Sequence, residues 1–228
     1  MGNNKLSHIA FILDGNKRWA EKNNYSKVEG YKKGFENIKK IVDHTLSLKI
    51  SNLTLFTLSS ENFNRPSLAI IYEIIYNNFS KLFDDLVTKK NIKIKIFGSR
   101  KNLPKKIIDI FYEAENFHST SNSLNLNIAF NYGFKDEITQ VLKEFKKKIN
   151  TLNLENELEI KELFSLGLID DPDILIRTGG YKRLSNFIMY NLTYTELFFT
   201  NTLWPEFSIN EYDNIIKDYT NISRKYGL

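Results

Sequence analysis

The chain is short of several residue types, and each shortage excludes something. None of its 228 residues is cysteine, so disulfide bonds, zinc–thiolate sites and cysteine nucleophiles are excluded. No apolar run approaches the ~20 residues that a transmembrane helix needs, and we expect a soluble, cytoplasmic protein. Arginine is scarce too, since it accounts for only six of the 32 Lys and Arg residues. Lysine is therefore the default cation, and arginine marks positions that need a planar fork of donors.

The net charge indicates an anionic partner but does not say which kind. A net charge of +5 suits nucleic acid, an anionic membrane surface or an anionic substrate. No nucleic-acid-binding motif occurs, and the aromatic residues fall in apolar patterns. We therefore expect no nucleic-acid partner, and a basic nucleic-acid-binding module remains the alternative from a different functional class.

Runs rich in β-branched and aromatic residues alternate with segments of helical spacing. The runs predict six strands, at residues 8–13, 52–58, 92–97, 124–130, 173–177 and 194–199. The helical segments are 30–49, 68–90, 104–118, 135–148, 156–166 and about 209–224. Strands that alternate with helices imply right-handed crossovers. We expect one α/β domain over residues 1–228, with a central, mostly parallel six-stranded sheet covered by helices.

Four polar motifs each follow a predicted strand. They are DGNKRW at 14–19, SSENFNRP at 59–66, NYG at 131–133 and RTGG at 177–180. The carboxyl ends of parallel strands lie along one edge of a sheet, where ligands bind in open α/β folds. The motifs are therefore expected to converge on a single crevice.

The first motif combines an acid, a glycine and an arginine. Gly15 lets backbone amides approach a ligand closely, and Arg18 adds a fork of donors, so the motif predicts a phosphate cradle. Asp14 would repel phosphate unless a divalent cation lay between them, which suggests Mg²⁺ as a cofactor. The alternative is an ordinary turn in which Asp14 caps the following helix.

The motif after the fifth strand predicts a second anion site. Arg177, Arg183 and Ser185 offer donors at short range around the glycine pair at 179–180. The alternative is a glycine turn with Arg183 solvated or paired with a surface acid. Glu196 lies in an apolar stretch, where an ionised carboxylate needs a partner, so it is either a metal ligand or half of a structural pair.

Five segments together resemble the cis-prenyltransferases, the undecaprenyl diphosphate synthase or isoprenyl transferase family. They are HIAFILDGNKRWA, LFTLSSENFNRP, LNLNIAFNYG, LIRTGGYKRLSNF and YTELFFTNTLWPEF, in the family's order over nearly the whole chain. The resemblance implies a Mg²⁺-dependent homodimer that condenses isopentenyl diphosphate with an allylic diphosphate, leaving a cis double bond at each addition. Farnesyl diphosphate is the implied starter. The implied product is a Z-polyprenyl diphosphate such as undecaprenyl diphosphate, the lipid carrier precursor for cell-wall glycans, and a short-chain Z-prenyl diphosphate synthase is the alternative.

Positions that match the family's motifs imply roles for individual residues. Asp14 would be the essential acid, Asn62 would assist proton removal, and Asp14 with Glu196 would hold the metal. The implied substrate-binding residues are Gly15, Asn16, Lys17, Arg18, Trp19, Lys27, Tyr31, Ser59, Ser60, Glu61, Phe63, Arg65, Arg177, Arg183, Leu184 and Ser185. Residues up to 31 belong to the allylic diphosphate site, residues 59–65 to a mobile loop over the substrates, and the later ones to the isopentenyl diphosphate site.

The chain departs from the family pattern at several positions. Lys17 stands where the family usually has glycine, Lys27 where it has arginine, and Tyr31 where it has histidine. Phe63 stands where tryptophan is common, and Tyr181-Lys182 replaces a Glu-His or Glu-Gln pair. None of these changes removes the acid or the arginines, so we expect an active enzyme.

The predicted helix at 68–90 is apolar around much of its girth. Such a helix either lines a hydrophobic tunnel, as the resemblance implies, or packs in an ordinary core. A long apolar product would bind tightly in a tunnel and leave into a membrane, so we expect peripheral contact with the inner face of the membrane.

Overall fold

The structure is a computed structural model that describes residues 6–63, 67–83, 91–116 and 123–222, without the side chains of 79–83. Its strands are β1 (His8–Ile12), β2 (Asn52–Ser59), β3 (Ile92–Phe97), β4 (Leu124–Tyr132), β5 (Ile174–Arg177) and β6 (Glu196–Phe199). They form one six-stranded sheet in the order β3-β4-β2-β1-β5-β6, and every neighbouring pair is parallel. The predicted single α/β domain with a central parallel sheet is confirmed.

Seven α-helices are described. They are α1 (Asn16–Lys22), α2 (Lys27–Ser47), α3 (Leu68–Phe83), α4 (Lys105–Asn116), α5 (Phe134–Lys148), α6 (Glu157–Lys161) and α7 (Ile209–Thr220). None of these helices is long and apolar enough to cross a membrane. The predicted helices at 68–90, 104–118 and 209–224 extend into residues outside the described ranges.

Two helix boundaries differ from the prediction by three residues or more, for identifiable reasons. Helix α2 begins earlier, because Ser26 accepts a bond from the Glu29 amide and the Glu29 carboxylate accepts one from the Ser26 amide, which forms a capping box. Helix α6 ends at Lys161 instead of reaching residue 166. Turns follow it, including one at Gly167 with a φ of 56° that favours glycine.

The sheet is covered on both faces, as its topology requires. All of β1 is buried, which is typical of a central parallel strand. One face carries the larger of two hydrophobic cores and is called the larger face here; on it, the Phe11 ring packs edge-on against Trp204 and Tyr212. On the smaller face, Phe56 stacks on Phe187 at 4.6 Å between ring centroids.

A chain of polar groups crosses the smaller face near the amino ends of the strands. The ring Nδ1 of His8 lies 2.5 Å from the Asp170 carbonyl oxygen, which can only accept, so Nδ1 carries the proton. Nε2 of His8 then accepts from the Thr54 hydroxyl at 2.7 Å, and Thr54 accepts from Nδ2 of Asn127 at 3.2 Å. Burial lowers the pKa of His8 to about 4, so the ring stays neutral at pH 7.

Asp173 fastens the amino ends of β1 and β5 to helix α7. Its Oδ2 accepts bonds from the Ser7 amide at 2.8 Å, the Ser7 hydroxyl at 3.1 Å and the His8 amide at 3.0 Å. Its Oδ1 accepts from the Tyr219 hydroxyl at 3.3 Å. One carboxylate thus joins three elements that are far apart in the sequence.

Candidate active site

The motifs after β1 and β5 meet at the carboxyl edge of the sheet. Asp14 follows β1, Arg177 ends β5, and these strands are neighbours in the sheet. Oδ2 of Asp14 accepts from Nη2 of Arg177 at 2.9 Å, and Oδ1 accepts from Nη2 of Arg18 at 3.1 Å. Two arginines from separate motifs therefore share one carboxylate.

The Asp14 side chain does not cap α1. The residue at the start of that helix is Gly15, and no side-chain bond caps it. Gly15 has a φ of 125°, and a Cβ there would lie 2.9 Å from the Leu203 Cα, so glycine is needed on both counts. The alternative of an ordinary turn with a capping aspartate is wrong, because the carboxylate is turned toward the arginines.

Thr178 and Gly179, which follow β5, bond to Asp14 and Arg18, which follow β1. The buried Thr178 hydroxyl accepts from the Asp14 amide at 3.0 Å and donates to the Asp14 carbonyl at 2.8 Å. The Gly179 carbonyl accepts from Nη1 of Arg18 at 2.6 Å, and a Cβ on Gly179 would lie 2.5 Å from Nη2 of Arg18. Sequence reasoning missed Thr178, although its place between an arginine and two glycines of the motif was a usable signal.

Arg177 is the most buried cation of the cluster. Its side chain is only 3% exposed, and Nη1 donates to the Ser185 hydroxyl at 2.7 Å and to the Arg183 carbonyl. Burial lowers the pKa of Arg177, and Arg183 and Arg18 act in the same direction, whereas Asp14 opposes them. Nε is buried and has no hydrogen-bond partner among the described residues. The group remains a cation with a donor to spare.

Tyr181 lies among the arginines. Its ring centroid is 4.1 Å from Cζ of Arg183, 4.7 Å from Cζ of Arg18 and 5.8 Å from Cζ of Arg177. The sequence showed Tyr181 only as a departure from the family pattern and gave it no role. The described part of the structure pairs Arg183 with this ring rather than with a surface acid.

The loop after β2 is tied to the same edge. The Ser60 hydroxyl donates to Asp136 Oδ2 at 2.6 Å, and Glu61 Oε1 accepts from Asn186 Nδ2 at 2.8 Å. Asn186 also accepts from the Lys135 amide through its side chain at 3.0 Å. The segment that follows Ser185 therefore bridges the loop and the start of α5.

The other residues predicted for this loop fall in different places. Ser59 ends β2, Asn62 ends a short 3-10 helix at Ser60–Asn62, and Phe63 packs against the larger core. Arg65 lies outside the described residues. Leu184, predicted for the second diphosphate site, is half-buried against the smaller core.

The predicted cations at the start of the chain are solvent-facing. Lys17 is exposed and lies 3.7 Å from Glu21, and Lys27 is the exposed first residue of α2. Trp19, predicted to support this site, stacks on Tyr25 with 5.4 Å between the ring centroids. The structure does not bring these lysines to Asp14.

An apolar cavity lies between α2, α3 and the sheet. Its lining residues are Leu13, Asn16, Tyr31, Gly34, Phe35, Ile38, Leu55, Thr57, Ile71, Ile74, Ile75, Ile94, Ile96, Phe111, Leu126, Ile128, Phe130 and Trp204. The buried Oδ1 of Asn16 has no partner in the described structure, and a Cβ on Gly34 would lie 1.9 Å from it. Leu13 and Asn16 flank Asp14 and Gly15 in the chain, so the cavity adjoins the charged edge.

Glu196 lies away from this edge within one chain. It opens β6 opposite Ile174, whereas Arg177 pairs with Phe199 three residues further on. That offset is about 10 Å along the strand. In the described ranges, no group of three or more His, Cys, Asp or Glu side chains could hold a metal ion. Asp14 is the carboxylate that the fold places beside the arginines.

Comparisons with known sequences agree over most of the chain. The model of the prenyltransferase family described as undecaprenyl diphosphate synthase matches residues 12–227. An isoprenyl transferase from Aquifex pyrophilus is 38% identical over 96% of this chain and 95% of its own length. A ditrans,polycis-undecaprenyl-diphosphate synthase ((2E,6E)-farnesyl-diphosphate specific) from Acinetobacter baylyi is 36% identical over 96% of this chain and 90% of its own length.

Solved structures share the fold as well. Lavandulyl diphosphate synthase from Lavandula x intermedia, in complex with dimethylallyl diphosphate, superposes with a TM-score of 0.91 at 27% identity. That match covers 97% of this chain and 98% of the other. A probable undecaprenyl diphosphate synthase from Campylobacter jejuni gives a TM-score of 0.81 at 30% identity, over 99% of this chain and 100% of the other.

Proposed function

This chain belongs to the undecaprenyl diphosphate synthase family of prenyltransferases, and we propose that it adds isopentenyl diphosphate repeatedly to farnesyl diphosphate. Cis-prenyl chain elongation is the reaction of the family. The observation that carries the proposal is the cluster of Asp14, Arg18 and Arg177 beside an apolar cavity. The arginines of the cluster suit a diphosphate, and the apolar cavity suits a hydrocarbon chain. The Acinetobacter relative, whose name specifies farnesyl diphosphate, supports this choice of starter.

The two substrates would use different arginines. Arg18 belongs to the segment that adjoins the cavity, so we assign it to the allylic diphosphate, whose hydrocarbon tail would enter the cavity. Arg177, Arg183 and Ser185 would bind isopentenyl diphosphate. The unpartnered Nε of Arg177 supports this assignment, because a buried donor without a partner is costly until an acceptor arrives.

The chemistry follows from where charge develops. When the C–O bond of the allylic diphosphate breaks, negative charge accumulates on the leaving diphosphate, and guanidinium groups already fixed by Asp14 stabilise that charge. The double bond of isopentenyl diphosphate then forms the new C–C bond, and a proton leaves to restore a double bond. Asn62 is proposed to assist this last step. An amide is a weak base, so the leaving diphosphate or a water would take the proton.

Mg²⁺ is the proposed cofactor, and the residues present fit it. Asp14 is 31% exposed, and each of its oxygens keeps a lone pair after accepting one arginine bond. One carboxylate with phosphate oxygens is a common Mg²⁺ environment. The ion would supply electrostatic stabilisation of the leaving group. Glu196, the second proposed ligand, would have to come from another copy of the chain, because within one chain it lies about 10 Å further back along the sheet.

That requirement is consistent with the proposed homodimer. Strand β6 is an edge of the sheet, and Leu197 on it is 44% exposed beside Tyr194 at 68%. An exposed edge with apolar side chains is a surface that pairs readily with another chain. Light scattering after gel filtration should give twice the mass of one chain, and a monomer would contradict the dimer.

The cavity is the proposed start of the product tunnel. Each buried methylene contributes about 0.8 kcal/mol, so a long product would leave slowly and preferentially into a membrane. A short-chain Z-prenyl diphosphate synthase is the second candidate. It is favoured by the structural match, with a TM-score of 0.91, to an enzyme solved with dimethylallyl diphosphate.

Labelled isopentenyl diphosphate tests the function directly. Supplied with farnesyl, geranyl or dimethylallyl diphosphate, the protein should form longer prenyl diphosphates in the presence of Mg²⁺ and none after chelation. Chromatography of the products should show long chains, with farnesyl diphosphate the best starter. Products limited to one or two additions would support the short-chain alternative, and no incorporation with any starter would contradict the proposal.

A cavity variant tests the tunnel. Ile128 lines the cavity from β4, and tryptophan there would fill part of the space. We expect Ile128→Trp to shorten the products while the first addition continues at nearly the normal rate. Leu142→Trp, on the exposed surface of α5, is the matched control and should leave product length unchanged.

A further inference from the structure

The cation cluster at the carboxyl edge carries more positive than negative charge. Arg18, Arg177 and Arg183 all lie within 5.8 Å of the Tyr181 ring centroid, and Asp14 is the carboxylate that pairs with two of them. The three cations repel one another, as the effect of Arg18 and Arg183 on the pKa of Arg177 indicates. Asp14 pairs with Arg18 and Arg177, so a contact other than an ion pair must hold Arg183 beside them before a substrate arrives.

The three guanidiniums are held to different degrees. Arg18 bonds to Asp14 and to the Gly179 carbonyl. Arg177 bonds to Asp14 and to two other oxygens. For Arg183, no hydrogen bond or ion pair of its guanidinium is described, and the contact that the structure gives it is the Tyr181 ring, which is also the shortest of the three ring contacts.

An aromatic ring suits this position physically. Its face carries partial negative charge and attracts cations without adding a formal charge that would compete with an anionic ligand. A guanidinium that stacks by its flat face keeps its N–H groups, which lie in the plane, available for phosphate oxygens. A carboxylate in the same place would instead occupy those N–H groups.

We propose that Tyr181 is a positioning residue of the diphosphate site: its ring, which also contacts Arg18, holds the Arg183 guanidinium in place, so that the N–H groups of Arg183 remain free for a diphosphate. The proposal rests on the proposed function, in that a diphosphate is the ligand of these arginines. Tyr181 itself need not touch the substrate. Its ring reduces the conformational freedom that Arg183 would otherwise lose on binding.

Three substitutions at Tyr181 separate stacking from simple packing. Tyr181→Phe keeps the ring, Tyr181→Leu keeps apolar bulk without a ring, and Tyr181→Ala removes both. Tyr112→Ala is the matched control, because Tyr112 is an exposed tyrosine on α4, away from the arginine cluster. Calorimetric titration with inorganic pyrophosphate measures the anion site without turnover, and steady-state kinetics give KM and kcat for isopentenyl diphosphate.

We expect the Ala and Leu variants to raise both the dissociation constant for pyrophosphate and the KM about tenfold, with kcat within about twofold. The Phe variant should remain within about twofold of the unmodified protein in all three quantities. Tyr181 is 43% exposed, so melting temperatures should be nearly unchanged, and they check that each variant is folded.

Unchanged pyrophosphate binding in folded Ala and Leu variants would overturn the inference. So would a Phe variant as impaired as Ala, because the hydroxyl would then be the active group, or a loss confined to kcat. Failure of the proposed function has a different signature. In that case the unmodified protein transfers no prenyl group, while its pyrophosphate binding still depends on the ring.

Discussion

Two aspartates link the same pair of strands at opposite ends of the sheet. At the carboxyl ends, Asp14 after β1 bonds to Arg177 of β5. At the amino ends, Asp173 before β5 bonds to His8 of β1 and to Ser7 just before that strand. Both carboxylates accept at least two side-chain or backbone bonds, and both join segments more than 160 residues apart.

The difference lies in the partners. The donors to Asp173 that the described ranges show are two backbone amides and two hydroxyls, all of them neutral. The side-chain donors to Asp14 are guanidiniums, each of which has N–H groups beyond those that it spends on the carboxylate. The described bonds of Asp173 join parts of the fold, whereas Asp14 holds cations that have donors to spare and so prepares a binding site. Substitutions at the two aspartates and at their partners separate these two roles.

The largest effect is expected at Asp14. Asp14→Asn removes the charge that orients both arginines and, in the proposed mechanism, the metal ligand, so prenyl transfer should fall at least about a thousandfold. The change also leaves the buried Arg177 without its charged partner, so we expect a lower melting temperature, and activity is compared per folded molecule. Glu21→Gln on α1 is the matched control. Incorporation of labelled isopentenyl diphosphate at near-normal rates in Asp14→Asn would reject the catalytic assignment.

Arg177→Lys tests whether the fork geometry matters as well as the charge. Lysine keeps the positive charge but cannot bond to Asp14 and Ser185 with one planar group, so kcat/KM should fall about a hundredfold. Arg100→Lys is the control, because Arg100 pairs with Glu115 elsewhere on the protein. Equal losses in both variants would show that the effect is not specific to the site.

At the other end of the sheet, Asp173→Asn should affect stability instead of chemistry. The amide can keep its oxygen on the Ser7 and His8 amides and turn its NH2 to the Tyr219 hydroxyl, but it replaces a charged acceptor with a neutral one, so we expect a loss of about 1–3 kcal/mol in the free energy of unfolding. Denaturant titration measures the loss, and activity per folded molecule should stay near normal below the transition. A stable but inactive variant would contradict the division between the two ends.

The last prediction is a pH dependence of stability that His8 causes without any substitution. Its pKa is about 4 in the folded protein and about 6.5 when unfolded, so between these values the unfolded chain binds a proton that the folded chain does not. This group should therefore lower stability by about 2 kcal/mol between pH 7 and pH 5. His8→Asn should remove that slope in denaturant titrations, and an identical slope in the variant would exclude His8 as its source.

Much of the fold could be predicted because local and tertiary requirements agree. The strand runs at β3 and β4 are rich in isoleucine, leucine and phenylalanine, and their boundaries match the structure to within about two residues. Strands that alternate with helices are joined by right-handed crossovers, so only a few sheet topologies are compatible with the sequence. Helix α6 was predicted too long, because the apolar residues after Lys161 enter turns that pack on the core.

The site could be predicted in outline but not in its contacts. Asp14, Arg18 and Arg177 follow from the placement of motifs at strand ends, which the fold alone dictates. The ring contacts of Tyr181 and the paired bonds of Thr178 depend on how two loops meet, and spacing does not encode that. The position of Glu196 could be inferred only once the register of β6 was known.

The pairing of Asp14 with Arg177 also has a consequence for how the protein folds. The two residues are 163 positions apart, and the bond between them cannot form before β5 has paired with β1. Contacts of such long range form late, because loop closure costs entropy before they are made. A chain that is still emerging during synthesis thus lacks the arginine cluster, and diphosphate ligands can stabilise only the finished fold.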